Sequence, residues 1–139
     1  MESEANRSIS PKEFKDLEIG YKFSPVSYEL TPSSISKFEE AVGTCSPDAN
    51  LVPPLATLIY AMKAVFQCIE IPPGSIHASQ EAEFLKPVAI GSRLNYHAQI
   101  AQKTSRSKMN IIAVKINAFD QDKEMVLSAV TTLITPNSS

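Results

Sequence analysis

Asp48 and Asn50 stand two residues apart in SPDAN (46–50), and a carboxylate beside a carboxamide is how an acid–base site begins. Both residue types also bond their own backbone in turns, and SPDAN is a natural turn sequence. The residues alone leave a ligand-contacting role and a turn role level. Glu81 and Glu83 share one face of a strand pattern, as paired carboxylates do, although an exposed or subunit-facing pair fits better. His77 follows the IPPGSI turn at a strand start, where it can reach the cleft of a neighbouring subunit or simply bond backbone or water. His97 lies between Asn95 and Gln99 on a polar strand face, where a solvated histidine is expected. Lys63 is the odd charge of an apolar helix. It can meet an anionic ligand, but the better reading lays its stem on apolar neighbours with the ammonium in water or against a carboxylate.

The elements that must position these groups follow from periodicity and punctuation. YKFSPVSYEL (21–30) reads as a short extended segment broken by Pro25. TPSSISKFEEAVG (31–43) reads as a helix capped by Thr31, with Pro32 in its first turn, Gly43 closing it, and Ile35, Phe38 and Val42 as one apolar stripe. A second helix, 54–69, is polar only at Thr57, Tyr60, Lys63 and Gln67, so protein is expected to surround it on nearly every other side. The segments 77–85, 93–102, 108–119 and 124–135 alternate as strands, and DQDK (120–123) joins the last two as a hairpin turn. In 93–102, Leu94, Tyr96, Ala98 and Ile100 share the apolar face. Helices followed by a run of antiparallel strands imply an α+β domain in which the sheet wraps the long helix.

Composition limits the alternatives. The 139 residues suit a single domain, 1–139, with mobile ends at 1–11 and 137–139. Apolar residues make up 43% and charged residues 20%, a globular balance. The net charge is −2 and the basic residues are scattered, which argues against a nucleic-acid or membrane-surface binder. Cys45 and Cys68 have no metal spacing and too few partners for a disulfide scaffold, so neither metal nor cofactor is expected and a reduced, cytoplasmic setting is the simplest reading. The polar start MESEANRSIS carries no export signal, which leaves the sequons at Asn6 and Asn137 idle.

Three stretches, FKDLEIGYKF (14–23), VPPLATLIYAMKAVF (52–66) and HASQEAEFLKPVAIGSRL (77–94), resemble the MaoC-like dehydratase and (R)-specific enoyl-CoA hydratase family. The closest match is the branch whose central helix opens with Pro-Pro. The resemblance spans residues 14–135 and implies the hot dog fold, an antiparallel sheet wrapped around a long central helix. It further implies acyl-CoA or acyl-carrier-protein thioester substrates, fatty acid metabolism and a dimer joined through the strand at 77–85.

The family's active hydratases carry Asp-x-Asn-Pro-aliphatic-His. Asp48 and Asn50 match its first half, but Leu51 stands where the family has Pro, and Pro53 where it has His. Hydration needs two groups gripping one water, and a backbone N–H at a helix start for the thioester oxygen. The resemblance therefore assigns Asp48 as the catalytic base without its His, with Asn50, Leu55, Ala56 and His77 binding substrate. Because Pro53 and Pro54 lack an N–H, the oxyanion donor falls to Leu55 or beyond. The favoured reading is a non-catalytic or weakly active subunit, in a homodimer or in a heterodimer with a catalytic hot dog subunit. The alternatives are an acyl-thioester-binding or dimerisation module without chemistry, and a hot dog acyl-CoA thioesterase, which the absence of a carboxylate in 54–69 disfavours.

Overall fold

A computed structural model of the chain describes residues 11–13, 16–43 and 48–136. Cys45, the sequons at Asn6 and Asn137, and the chain ends at 1–10 and 137–139 lie outside the described residues. The elements run β1 (Val26–Glu29), α1 (Pro32–Val42), α2 (Pro54–Cys68), β2 (Ile76–Phe84), β3 (Arg93–Arg106), β4 (Met109–Phe119) and β5 (Met125–Pro136).

The first helix begins and ends where its punctuation dictates. The Thr31 hydroxyl accepts from the Ser34 N–H at 3.1 Å, and Gly43 takes the left-handed conformation at φ +72 while its N–H returns to the Glu39 carbonyl. Its expected stripe is only partly used. Ile35 is buried and Phe38 packs against the core, but Val42 is 45% exposed because α1 lies at the periphery and only its first turns meet other elements.

The sheet is antiparallel, in the order β1-β3-β4-β5-β2, so the strand nearest α2 in sequence takes the far edge. Leu94, Tyr96, Ala98 and Ile100 are buried on one face, as their alternation requires, against α2. Strand β3 outruns its apolar pattern. The polar segment 103–106 still pairs with β4, Lys103 opposite Ile112 and Arg106 opposite Met109, because a two-residue turn at Ser107 and Lys108 closes the hairpin with Ser107 at φ +50. At the next turn Asp120 Oδ1 accepts from the N–H groups of Asp122 and Glu124, and Lys123 sits at φ +64.

Helix α2 lies over β3, β4 and β5, presenting Ala56, Leu58, Ala61, Ala64, Val65 and Cys68. The three alanines let the backbone approach the sheet closely. Tyr96 Oη donates to the Thr57 carbonyl at 2.9 Å and fixes that approach. The sheet packs along one side of the central helix, as the hot dog fold requires, but the chain does not cover nearly every other side of it as its apolar sequence implies. Leu55, Ile59 and Phe66 are 49%, 45% and 45% exposed, one stripe at spacings of four and seven. The polar stripe also differs from expectation, because Thr57 is 3% exposed and belongs to the buried side. Tyr60, Lys63 and Gln67 turn toward β1 and α1.

Candidate functional site

A short bridge holds the Asp48 segment in place. Asn50 and Val52 pair with the connection before β3: Ile90 N–H donates to the Asn50 carbonyl, and Val52 N–H to the Val88 carbonyl, at 2.9 and 2.8 Å. Asp48 is exposed, and its Oδ1 accepts from the Asn50 N–H at 2.9 Å, which closes the turn that SPDAN suits. The same residue stands at the rim of a cleft of about 440 Å³ lined by Leu51, Val52, Pro54, Thr57, Phe84, Leu85, Lys86, Pro87, Val88 and Val126. The turn role and a place at a cleft therefore coincide in one side chain.

The cleft is apolar with few polar groups. The Thr57 hydroxyl donates to the Pro54 carbonyl at 2.6 Å, which quiets it as a nucleophile. Lys86 bridges Asp120 at 3.0 Å and Glu124, and these hydrogen bonds, Glu124's first, push its ammonium up to about 12. Asp120 is held below its ordinary range, first by the Glu124 backbone N–H and then by Lys86. The turn carboxylates Asp120, Asp122 and Glu124 are close enough to share an ion, but Lys86 already occupies their midst. Among the described lining residues, Asp48 is the one carboxylate without a cation beside it, and no imidazole joins it.

The other site candidates are dispersed. Asn50 is exposed and acts through its backbone. No described residue accepts from the Leu55 N–H, so it remains open at the helix start, whereas the Ala56 N–H already donates to the Pro53 carbonyl at 2.9 Å and Ala56 is fully buried. Of the two, only Leu55 therefore keeps an N–H without an acceptor among the described residues. His77 is exposed, hydrogen-bonded to Gln80 Oε1 at 3.1 Å, and seven residues along β2 from Phe84, roughly 23 Å from the cleft of its own chain. His97 stacks edge-on against Phe119 at 5.3 Å on the opposite face of the sheet. Lys63 Nζ lies 5.5 and 5.8 Å from the ring centres of Tyr28 and Tyr60, so its charge rests on aromatic faces. Burial, then Cys68 and Tyr60, push the Tyr28 hydroxyl up to about 12.

Sequence reasoning missed Thr57, Phe84, Leu85 and Lys86 as cleft residues. In sequence Thr57 reads as one of the polar stripe of its helix, with Tyr60, Lys63 and Gln67. The signal for the other three was the strand end running into Lys-Pro, which aims FLK at the helix start.

A family model described as FAS1-like, dehydratase domain region matches residues 18–129. The chain belongs to this family. A UPF0336 protein of Streptomyces coelicolor is 27% identical over 136 residues, covering 84% of this chain and 91% of that protein. The R-hydratase PhaJ1 of Pseudomonas aeruginosa superposes with a TM-score of 0.77 at 16% identity, covering 89% of this chain and 85% of that one. The C-terminally truncated HadBC (3R-hydroxyacyl-ACP dehydratase) complex of Mycobacterium tuberculosis gives 0.68 at 21% identity, covering 84% and 96%. This FAS1-like dehydratase-region chain therefore has the MaoC-like hot dog fold. No helix among the described residues is long and apolar enough to cross a membrane.

Proposed function

We propose that this chain is an acyl-thioester-binding hot dog subunit, related to hydratases and dehydratases, that is inactive or weakly active alone and works beside a second hot dog subunit. The observation that carries the reading is the unpaired Asp48 at the rim of an apolar cleft. Adding water across an enoyl thioester requires one group to take the water proton and another to deliver a proton to the α-carbon. Asp48 supplies at most one of these. The apolar walls from Leu51, Val52, Phe84, Leu85 and Val126 suit an acyl chain, and the open Leu55 N–H at the helix start suits a thioester oxygen. The exposed stripe Leu55, Ile59 and Phe66 supports the second subunit, since a soluble chain rarely leaves such a stripe bare. That the HadBC structure is a complex of two proteins adds to this support.

The test is twofold. Purified chain is titrated with saturated acyl-CoA of several lengths, and hydration of the matching enoyl-CoA is followed in parallel. Binding without appreciable turnover is the expected result. Turnover comparable to that of a complete hydratase, lost in Asp48→Asn, overturns the partnered reading, and absence of binding at every chain length overturns the acyl-thioester reading.

A further inference from the structure

The outer face of the sheet, turned away from α2, carries a second cavity of about 720 Å³, larger than the cleft beside Asp48. Strand register lays out its floor. Lys22 bridges Gln99, and Gln99 stands opposite Lys115, so two lysines flank one carboxamide with their backbones about 10 Å apart. Two residues along the strand His97 faces Asn117, and two further Asn95 faces Phe119, so the three rows span roughly 13 Å. Lys115 and Asn117 alternate with Val114, Ile116 and Ala118, which are fully buried on the helix side, and this fixes the two polar residues on the outer face. Pro25 and Lys123 line the same cavity.

Its charge is one-sided. Lys22, Lys115 and Lys123 have no ion-pair partner among the described residues. The one carboxylate on the described lining, Asp120, is already engaged: its Oδ1 accepts from the N–H groups of Asp122 and Glu124, and its Oδ2 from Lys86. A chain of net charge −2 thus gathers three unpaired lysines around one concave surface, which raises the local concentration of anions.

The carboxamides between the cations are open. Asn117 Oδ1 is buried with no hydrogen-bond partner, so it needs a donor that the described chain does not supply. Asn95 Oδ1 accepts from the Ser27 hydroxyl, which leaves the Nδ2 of the same amide without a partner among the described residues. The Gln99 amide has no partner among them either. Phe119, edge-on to His97 at 5.3 Å, and Pro25 add apolar surface to the same lining. Cations, unpaired amides and an aromatic ring therefore meet in one cavity.

We propose that this outer-face cavity is a nucleotide site, with the phosphates between Lys22 and Lys115 and the base toward Phe119, read by Asn95 and Asn117. Phosphate oxygens answer the lysine pair. A carboxamide both donates and accepts, as the edge of a base does, and the Asn117 carbonyl finds its missing donor there. The volume exceeds what a bare oxyanion fills and lies in the range of small-molecule sites. The site is separate from the cleft beside Asp48. The Lys86–Asp120 ion pair stands between them, Lys86 on the lining of the cleft and Asp120 on that of the outer cavity. The inference goes beyond the acyl-thioester reading and does not rest on it.

ADP, GDP and UDP serve as probes in calorimetric titration of the purified chain, with inorganic pyrophosphate as the control that lacks a base. At least one nucleotide is expected to bind at least about tenfold more tightly than pyrophosphate. Lys22→Gln/Lys115→Gln, checked for an unchanged melting temperature, is expected to weaken that nucleotide by at least about tenfold, and Lys22→Arg/Lys115→Arg, which keeps the charge, to retain most of the binding. Asn117→Ala is expected to weaken the nucleotide but not pyrophosphate. Acyl-pantetheine, a thioester without a nucleotide, is expected not to displace it. No nucleotide binding at millimolar concentration, or binding that the Gln variant leaves unchanged, overturns the site. Pyrophosphate as tight as every nucleotide overturns the base reading, and displacement by acyl-pantetheine overturns the separate cavity. If acyl-pantetheine binds and no nucleotide does, this inference falls and the proposed function stands; nucleotide binding without any thioester binding gives the reverse.

Discussion

Tyr96 of β3 reaches under α2 and donates its hydroxyl to the Thr57 carbonyl at 2.9 Å, joining the middle of the sheet to the first turn of the helix at the cleft. Both residues are buried, at 1% and 3% exposure. Tyr96→Phe keeps the ring and removes the bond, so it is expected to cost about 1–2 kcal/mol in urea unfolding. Tyr28→Phe is the contrasting case. Its hydroxyl is buried with no hydrogen-bond partner in the structure, so its removal is expected to be neutral or stabilising at pH 7. Equal losses in the two variants contradict the assignment.

The same tyrosine sets a pH dependence. Tyr28 is raised from 10.0 to about 12 in the folded chain, chiefly by burial. The folded state keeps that proton after the unfolded chain has lost it, so its contribution is fully present below pH 10 and is lost as pH rises toward 12. After solvent screening around this only partly buried residue, the loss is about 1 kcal/mol. Lys86, raised to about 12 by Glu124 and Asp120, adds a loss of the same sign over a similar window. Chemical denaturation from pH 9 to 12 is expected to show a falling stability that flattens partly in Tyr28→Phe and partly in Lys86→Met. A profile identical to wild type in both variants contradicts the shifts.

Ala61 is fully buried against the sheet, near the centre of the alanine face of α2. Glu at this position places an unpaired carboxylate where helix and sheet nearly touch, a cost beyond the stability of most domains of this size. Ala61→Glu is expected to abolish cooperative thermal unfolding. Retention of the wild-type melting temperature contradicts the packing of α2.

The fold was legible because its signals are local. Thr31, Pro32 and Gly43 bound α1 by their own chemistry, and the alternation through Leu94, Tyr96, Ala98 and Ile100 oriented β3. The two-residue turn at Ser107 was not legible, since KTSRSK has no apolar period and strand pairing alone extends β3 through it. The exposed flank of α2 was hidden for another reason. Leu55, Ile59 and Phe66 look like core in sequence, and which apolar side of a helix the chain covers depends on where β2 lies, a tertiary fact. The cleft was half legible, because Asp48 marked its rim whereas Phe84 and Lys86 arrive from a strand some 35 residues later, with a spacing no local pattern encodes.

Asp48 separates its two roles by substitution. Asn retains an oxygen for the Asn50 N–H, so Asp48→Asn is expected to change stability by less than about 0.5 kcal/mol, whereas Asp48→Ala loses the turn bond and costs about 0.5–1 kcal/mol. Any hydration activity is expected to fall equally in both, because both lack the carboxylate. Activity that follows stability instead, surviving in Asn and failing in Ala, assigns Asp48 to the turn alone.

Ile59 lies midway along the bare stripe of α2 and is 45% exposed, with the buried residues of the helix on its other side. Ile59→Asp therefore removes apolar surface that this chain does not itself cover. The monomer is expected to lose less than about 1 kcal/mol, since the side chain was already largely in water. Association with any second subunit is expected to weaken by at least about tenfold, because a carboxylate then sits at the centre of an apolar contact. Sedimentation beside a urea melt reads both quantities. A large stability loss with unchanged association means the stripe packs within the chain, and the two-subunit reading falls with it.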